Sequence, residues 1–127
     1  MSTTAQLRKR LRLGLALTTG ERLVVHRRHR KMTQSTAAGV FGVGVDKLRA
    51  WENDLESCPR PVARVKMMGL PLSELLRIRR GRINLRIAYL ARVMNKSVGW
   101  VHRAHTGEHI ESAERLTDFI LTKEKRA

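Results

Sequence analysis

Residues that cap or end helices recur at short intervals along this chain, and their frequency limits the chain to short helices. Glycine, proline, serine, threonine and asparagine separate stretches in which apolar residues repeat every third or fourth position. None of these stretches alternates apolar and polar residues as a half-buried strand would. The sequence therefore predicts an all-α protein, folded as a compact helical bundle.

Apolar spacing and capping residues give each predicted helix approximate bounds. The first spans residues 4–17, with Leu7, Leu11 and Leu15 on one face. Thr33 is expected to cap the third helix through its side-chain oxygen. The other predicted helices lie at residues 21–31, 34–41, 47–54 and 62–68, after Ser73, after the expected cap Asn84, around Trp100, and at 110–123.

A large excess of positive charge restricts the partners of this chain. Lysine and arginine number 26 against 11 aspartates and glutamates, which gives a net charge of +15 spread over the predicted helices. An excess of this size indicates a polyanionic partner. Aromatic residues make up only 4% of the chain, so the stacking platforms that hold single strands or looped RNA are nearly absent. Double-stranded DNA is therefore the favoured partner.

Metal, catalytic and membrane signals are weak throughout the sequence. Cys58 is the only cysteine, so no internal disulfide can form and a reduced cytoplasm is the simplest location. The apolar patch at 11–17 is followed by Glu21, well short of a membrane-spanning length. The histidines have helical spacing but lack converging carboxylates or cysteines. We therefore expect no metal, cofactor, small-molecule substrate, membrane contact or catalytic residue, and hence no enzyme.

Two short helices joined by a tight turn are predicted around Gly42. Ala37 and Ala38 are small enough for the helices to pack closely, and Gly42 permits the positive φ that such a turn needs. The expected inward residues are Val43, Leu48 and Trp51, and the outward residues are Gly44, Val45, Asp46, Lys47, Arg49 and Ala50. The second helix of such a pair can lie in the major groove of DNA.

The residues on both sides of this turn resemble those of the Xre and Cro/cI-type helix-turn-helix regulators of phages, plasmids and bacteria. The matched positions are Gly20-Glu21-Arg22-Leu23, Arg27, Thr33-Gln34, Ala38, Gly42-Val43, Leu48 and Trp51-Glu52, all at the family's spacing. Ala37, Gly44 and Asp54 depart from its usual leucine, serine and glycine. The resemblance covers roughly residues 20–76 and implies a helical bundle of the lambda-repressor type.

The resemblance implies that the residues that meet DNA are Gln34, Val45, Asp46, Lys47, Arg49 and Asn53, and we add the outward Gly44 to the predicted contacts. Arg49 and Asn53 would hold backbone phosphates, and Gln34 would touch a phosphate or a base edge. Among the residues that face bases, Lys47 can donate to guanine O6 or N7. Asp46 can accept a hydrogen bond from cytosine N4 or only cap the helix.

A second, degenerate helix-turn-helix is predicted 53 residues further along the chain. That offset places Leu90-Ala91 over Ala37-Ala38 and Val101 over Leu48, with a turn at Asn95-Lys96-Ser97. Ser97, His102 and Arg103 are the outward residues that this second copy would offer to DNA, with Val98 and Gly99 beside them. It would read an adjacent groove or mediate contacts between chains.

These features divide the chain into a basic N-terminal helix or arm at 1–18, an Xre-type domain at 19–77, and a second helix-turn-helix unit with a terminal helix at 78–127. We expect a cytoplasmic, nucleoid-associated regulator of transcription that binds specific duplex DNA sequences, a repressor in preference to an activator. The last helix carries an apolar stripe with Leu116 and Ile120, which either completes a core or joins two chains as a homodimer.

Two other functions fit the same residues. A DNA-architectural or recombination-accessory protein of the excisionase kind would use these helices to bend DNA, and circular-permutation gel shifts would detect that bend. An antitoxin or adaptor would instead present its basic surface to an acidic protein. It would keep that partner when Lys47 and Arg49 are both removed.

Overall fold

The computed structural model describes residues 2–126, and all regular structure in that range is helical. The predicted all-α class is confirmed. The helices are α1 (Thr4–Arg12), α2 (Thr19–His29), α3 (Gln34–Phe41), α4 (Val45–Glu52), α5 (Leu72–Arg82), α6 (Ile87–Val93), α7 (Val98–Thr106) and α8 (Ile110–Arg126). A 3₁₀ turn at Met67–Gly69 precedes α5. Within residues 2–126, every helix is too short or too polar to cross a membrane.

The described residues form two compact units, each with its own core. The first unit, Ala16–Lys66, contains α2, α3 and α4. The second unit combines residues 2–15 with residues 67–126 and contains α1 and α5 to α8. The sequence predicts divisions after residues 18 and 77, whereas the two units divide after residues 15 and 66. α1 belongs to the second unit because it packs against α5 and α8.

The core of the first unit lies where α4 packs against α2 and α3. Its buried members are Leu23, Ala37, Ala38, Leu48 and Trp51. The small side chains of Ala37 and Ala38 let α3 and α4 approach closely. The Phe41 ring lies edge-on to the Trp51 ring, with 5.9 Å between the two centroids. These apolar contacts fix which face α4 turns inward.

The second unit packs its long C-terminal helix against three others, since α8 contacts α1, α5 and α7. Its largest fully buried apolar side chains are Leu7, Leu11, Leu75, Leu76, Leu90, Val101, Leu116 and Ile120. Leu116 and Ile120 therefore fill the core of their own unit. Arg79 is buried as well, and its guanidinium joins α5 to the end of α1 by donating to the carbonyls of Leu11 and Leu13, at 3.0 and 2.6 Å.

The first helix is shorter than its sequence pattern predicts. α1 ends at Arg12 instead of residue 17, because Leu13 adopts extended backbone and Gly14 follows with a φ of +71°. A positive φ suits glycine and breaks the helical hydrogen-bond ladder. Leu15 is nevertheless buried, so the apolar spacing indicates burial beyond the point where the helix ends.

The helix predicted at residues 62–68 is wrong, because those residues are irregular up to the 3₁₀ turn. Arg22 Nη1 donates to the Val62 carbonyl at 2.9 Å, and His26 Nε2 bonds the Ala63 carbonyl at 2.9 Å. Side chains of α2 thus satisfy carbonyls that a helix would have paired with its own amides. The segment is held along α2 by polar contacts that its own sequence does not reveal.

The sequence context predicts that Asn84 caps α6, but the structure shows that it does not. It lies in the preceding turn with a φ of +56°, and the N-cap is Arg86, whose side chain makes no capping hydrogen bond. Asparagine is enriched both at caps and in left-handed turns, so the residue type alone does not separate the two uses. The next helix boundary also differs, because α5 begins at Leu72, before Ser73.

Candidate nucleic-acid interface

A tight turn at Gly42 sets the direction in which α4 leaves α3. Gly42 has a φ of +70°, and its amide donates to the Gly39 carbonyl at 3.1 Å. The next amide, that of Val43, donates to the Ala38 carbonyl at 3.0 Å. Left-handed backbone at this position favours glycine, since a side chain would strain it. The turn therefore ends α3 and aims α4 in one fixed direction.

One face of α4 is buried, and this leaves the opposite edge free to meet a ligand. Leu48, Trp51 and Glu52 are 1%, 5% and 7% exposed. The last turn of α4 also lies against Gly20 of α2, where an added Cβ would be 2.5 Å from the Glu52 carbonyl oxygen. Only glycine fits that approach without a shift. α4 is thus fixed in rotation as well as in direction.

An arginine and a glutamate join the three helices of the first unit under the candidate interface. Arg27 Nε donates to Glu52 Oε2 at 2.7 Å, and Nη2 donates to Oε1 at 3.3 Å. The same guanidinium donates from Nη1 to the Met32 carbonyl at 3.1 Å. Both side chains are largely withdrawn from solvent, at 15% and 4% exposure. A paired, hydrogen-bonded charge of this kind positions α4 on α2.

Gln34, predicted to touch DNA, links this buried pair to the surface. Its Nε2 donates to Glu52 Oε1 at 2.9 Å, and its Oε1 accepts from Arg49 Nε at 3.2 Å. The Gln34 side chain is half-buried, so the structure places it beneath the outer edge of α4. It holds the Arg49 guanidinium in place on that edge.

The other predicted residues of α4 lie along its exposed edge, apart from one. Gly44, Asp46, Lys47, Arg49 and Asn53 are all exposed, whereas Val45 is half-buried and packs against the core of the first unit. Gly44 occupies the N-cap of α4 and offers no side-chain hydrogen bond there. The structure therefore brings most of the predicted set together on one continuous strip of α4.

Weak ion pairs hold the cations of this strip. Lys47 Nζ is 2.8 Å from Glu56 Oε2, and each side chain is 50% exposed. Arg49 Nη1 is 3.5 Å from Asp46 Oδ1, a pair in which the Asp46 carboxylate is fully exposed. Solvent-exposed pairs contribute little to stability, so a stronger anion can replace their carboxylates. Both cations are available to a phosphate or a base edge.

Sequence reasoning missed the part that Arg27 and Glu52 play in positioning α4. A signal was present, because Glu52 lies four positions after Leu48 and one after Trp51, on the face that faces inward. A charged residue in the buried stripe of a helix calls for a buried partner. Asp54 was missed as well: its Oδ1 accepts from the Gly20 amide at 2.9 Å, at the start of α2.

The turn between α6 and α7 has the geometry of the turn between α3 and α4. Asn95 has a φ of +54° in the turn between α6 and α7, and its amide donates to the Arg92 carbonyl at 3.2 Å. The Lys96 amide donates to the Ala91 carbonyl at 2.8 Å. Ser97, predicted as a DNA contact, caps α7 by accepting from the Trp100 amide at 3.0 Å. The turn thus directs α7 as the Gly42 turn directs α4, with a side-chain cap that α4 lacks.

The outer edge of α7 carries the remaining predicted residues. Ser97, His102 and Arg103 are exposed, and the Arg103 guanidinium lies close over Gly99, where an added Cβ would be 3.2 Å from Nη1. The opposite face of the helix is buried through Val101 and its neighbours. The predicted residues of this second strip lie together, in a unit separate from the first strip.

His105 lies on the buried face of α7 and is held as a neutral ring. Its Nδ1 donates to the Val101 carbonyl at 2.7 Å, and its Nε2 accepts from Arg80 Nε at 3.0 Å. Burial lowers the pKa of His105, a lowering that the adjacent Arg80 and His102 reinforce against the raising effect of the Val101 carbonyl. The histidine therefore serves as a hydrogen-bond acceptor for the half-buried Arg80.

Several arginines of this basic chain bind carbonyls of the protein itself. Arg8 Nε donates to the Leu70 carbonyl at 3.0 Å, much as Arg79 and Arg22 bind carbonyls in their own units. Among residues 2–126, no three histidines, cysteines, aspartates or glutamates are grouped as a metal site would require. The net charge thus overstates the positive charge that the surface offers to a partner.

Comparison of the chain with protein-family models, with curated proteins and with solved structures gives no match. The resemblance to the Xre and Cro/cI-type regulators therefore stays a prediction from the residues that carry it.

Proposed function

We propose that this protein is a sequence-specific, duplex-DNA-binding regulator, a repressor in the cytoplasm, and that it acts by inserting α4 into the major groove. The observation that carries the proposal is the exposed strip of Asp46, Lys47, Arg49 and Asn53 on a helix whose opposite face is buried. Regulation by binding alone needs no catalytic residue.

The size and exposure of α4 suit a major groove. A helix with its side chains is about 10–12 Å across, and the major groove is about 12 Å wide. α4 follows a tight turn, so its first residues can approach base edges while α3 stays outside. Among those first residues, Lys47 supplies donors for guanine O6 or N7, and Asp46 supplies an acceptor for cytosine N4.

Phosphate contacts would come from the rest of the strip. Arg49 is already oriented by Gln34, so its guanidinium loses little freedom when it binds a phosphate. Asn53 donates to the Arg49 carbonyl at 2.9 Å and closes the end of α4 beside it. Such contacts position the protein on the duplex, while the base contacts of Lys47 and Asp46 specify the sequence.

Affinity measurements on a duplex selected from a random pool test this assignment. Lys47→Ala is expected to lower affinity about fivefold to a hundredfold for the preferred base at one position and to relax the preference there. Arg49→Ala is expected to weaken binding to all sequences alike, because a phosphate carries no sequence. Lys125→Ala, which removes one exposed charge near the end of α8, serves as the charge-matched control.

Salt dependence gives an independent reading of the same contacts. If about 6 to 10 phosphates are neutralised, affinity falls about a thousandfold or more between about 50 and 200 mM salt. Arg49→Ala should reduce the slope by about one counterion, and Lys47→Ala should leave preference for the remaining bases intact. Equal losses on every sequence for both variants would contradict the proposed roles.

A further inference from the structure

The two units contain one three-helix arrangement repeated at a constant offset. α2 begins at Thr19 and α5 at Leu72, α3 at Gln34 and α6 at Ile87, and α4 at Val45 and α7 at Val98, so each start is displaced by 53 residues. α2 and α5 also end 53 residues apart, at His29 and Arg82, and the loops that follow them are equally long. We call α2–α4 (residues 19–52) the first repeat and α5–α7 (residues 72–106) the second.

Backbone conformations repeat at the same offset. Left-handed φ values occur at Lys31 and Asn84 (57° and 56°), at Gly42 and Asn95 (70° and 54°), and at Asp54 and Gly107 (57° and 76°). These pairs are different residue types in equivalent turns. Since left-handed backbone is uncommon outside glycine, three coincidences at one offset indicate equivalent folds.

A half-buried arginine occupies the same position in both repeats. Arg27 Nη1 donates to the Met32 carbonyl at 3.1 Å, and Arg80 Nη1 donates to the Leu85 carbonyl at 3.2 Å. The Nε of each arginine reaches the residue 25 positions later, Glu52 in the first repeat and His105 in the second. Each arginine therefore joins the first helix of its repeat to the third.

We infer that α7 is a second duplex-reading helix, equivalent in its repeat to α4 and different in its base preference. The inference rests on the proposed function, because it extends to α7 the role proposed for α4. Ser97, His102 and Arg103 form its exposed strip. Within residues 2–126, no carboxylate forms an ion pair with His102 or Arg103.

The chemistry of the α7 strip favours a polyanion more strongly than that of α4. At the 53-residue offset, Asp46 and Glu52 of the first repeat and Glu56 just after it correspond to Gly99, His105 and His109. The carboxylates that pair with cations around α4 therefore have no equivalent around α7. Cations are added instead, since Lys96 and Arg115 both lie over the Trp100 ring, at 5.5 and 5.8 Å from its centroid.

The same substitutions change what α7 can read. Lys47 corresponds to the half-buried Trp100, so a guanine contact at that position of the helix is lost. Arg103 and His102 supply the donors instead, from the next turn of the helix. Val98, which corresponds to Val45, is 48% exposed and can meet a thymine methyl. The DNA site should therefore combine two unlike parts.

Selection of duplexes from a random pool tests this inference with three proteins. We expect the wild type to select a motif with two unlike parts, Lys47→Ala/Arg49→Ala to lose one part, and His102→Ala/Arg103→Ala to lose the other. Affinity of the last variant for the wild-type motif should fall about tenfold or more. Lys125→Ala should keep the whole motif and serves as the charge control.

The outcomes separate this inference from the function on which it rests. If the wild-type motif is unchanged in His102→Ala/Arg103→Ala and lost in Lys47→Ala/Arg49→Ala, α7 does not read DNA, and the role of α4 stands. If the wild type selects no motif, both fail. His102 and Arg103 are exposed, so unchanged thermal unfolding of the double variant is expected and excludes misfolding as a cause of lost binding.

Discussion

An equivalent arginine binds the third helix in each of the two repeats, but the residue that it binds there differs. In the first repeat Arg27 meets a carboxylate, that of Glu52, so the buried charges cancel. In the second, Arg80 donates instead to the neutral ring of His105. The geometry of an arginine that spans two helices is therefore preserved while its electrostatics change. Each arginine also donates to a backbone carbonyl of its own repeat, Arg27 to Met32 and Arg80 to Leu85.

The two repeats also differ in what supports them. The third helix of the second repeat, α7, packs against α8, and its first helix, α5, packs against both α1 and α8. The first repeat has no added helix within its unit, where α2 is lined instead by the irregular residues that Arg22 and His26 bind. Stability of the first unit should therefore depend more on the Arg27–Glu52 ion pair.

Removal of Glu52 should produce the largest effect. Glu52→Ala leaves Arg27 without the carboxylate that it pairs with, and we expect the free energy of unfolding to fall by about 3 kcal/mol. This value is at the low end of the range for a broken buried ion pair, because the Arg27 side chain is 15% exposed. His105→Ala should cost less, since it removes a neutral hydrogen-bond acceptor of Arg80 and not a carboxylate. The stability of the first unit is measured by urea unfolding, followed by Trp51 fluorescence in a Trp100→Phe background. The stability of the second unit is measured by hydrogen exchange of the α7 amides.

A double variant separates the charge pair from general disruption of the core. Arg27→Met/Glu52→Leu keeps much of the side-chain volume and removes both charges, so it should recover most of the stability that Glu52→Ala loses. Equal losses for the single and double variants would show that packing, and not an uncompensated charge, accounts for the effect.

A glycine pair tests the close approach of α2 to α4. Gly20→Ala should lower the free energy of unfolding by about 1–3 kcal/mol, because its Cβ would lie 2.5 Å from the Glu52 carbonyl. Gly39→Ala is the matched control in α3, where no atom lies within 4 Å of the added Cβ, and it should stabilise by about 0.5–1 kcal/mol. Opposite signs in urea unfolding are expected, and a neutral Gly20→Ala would refute the close contact.

The smallest effect should be a pH dependence confined to the second unit. Because burial lowers the pKa of His105 in the folded state, its stabilising effect is complete above about pH 6.5, the ordinary histidine value. It is lost as the pH falls from there toward the lowered native pKa, by at most about 1.4 kcal/mol per pH unit for one proton. Hydrogen exchange of α7 amides between pH 7 and pH 5 measures this loss; His105→Gln should remove the slope.

Helix spacing and turn residues were sufficient to predict most of the fold. The positions of α3 and α4 follow from Thr33 and Gly42, and the buried faces follow from Leu48 and Trp51. The 53-residue offset was visible at a few apolar positions, yet its full extent was not. Lys31 and Asn84 share a backbone conformation without sharing a residue type, so composition gave no sign of it.

Side chains that bind distant backbone carbonyls account for what the sequence did not reveal. Arg79 contributes to the net charge, yet it lies buried against carbonyls at the end of α1. Arg22 and His26 bind the carbonyls of the irregular segment at 62–68, whose sequence predicts a helix. Such contacts join residues tens of positions apart, and local periodicity carries no information about them. The exposed strip of α4 was predictable because it depends only on which face of the helix is apolar.

Methylation interference tests most directly whether α4 reads the major groove. Dimethyl sulfate modifies guanine N7 in the major groove and adenine N3 in the minor groove, so one experiment compares the two surfaces of a selected duplex. The account predicts that N7 methylation of a particular guanine blocks wild-type binding and no longer affects Lys47→Ala. Interference confined to adenine N3, or a guanine signal unchanged by Lys47→Ala, would contradict it.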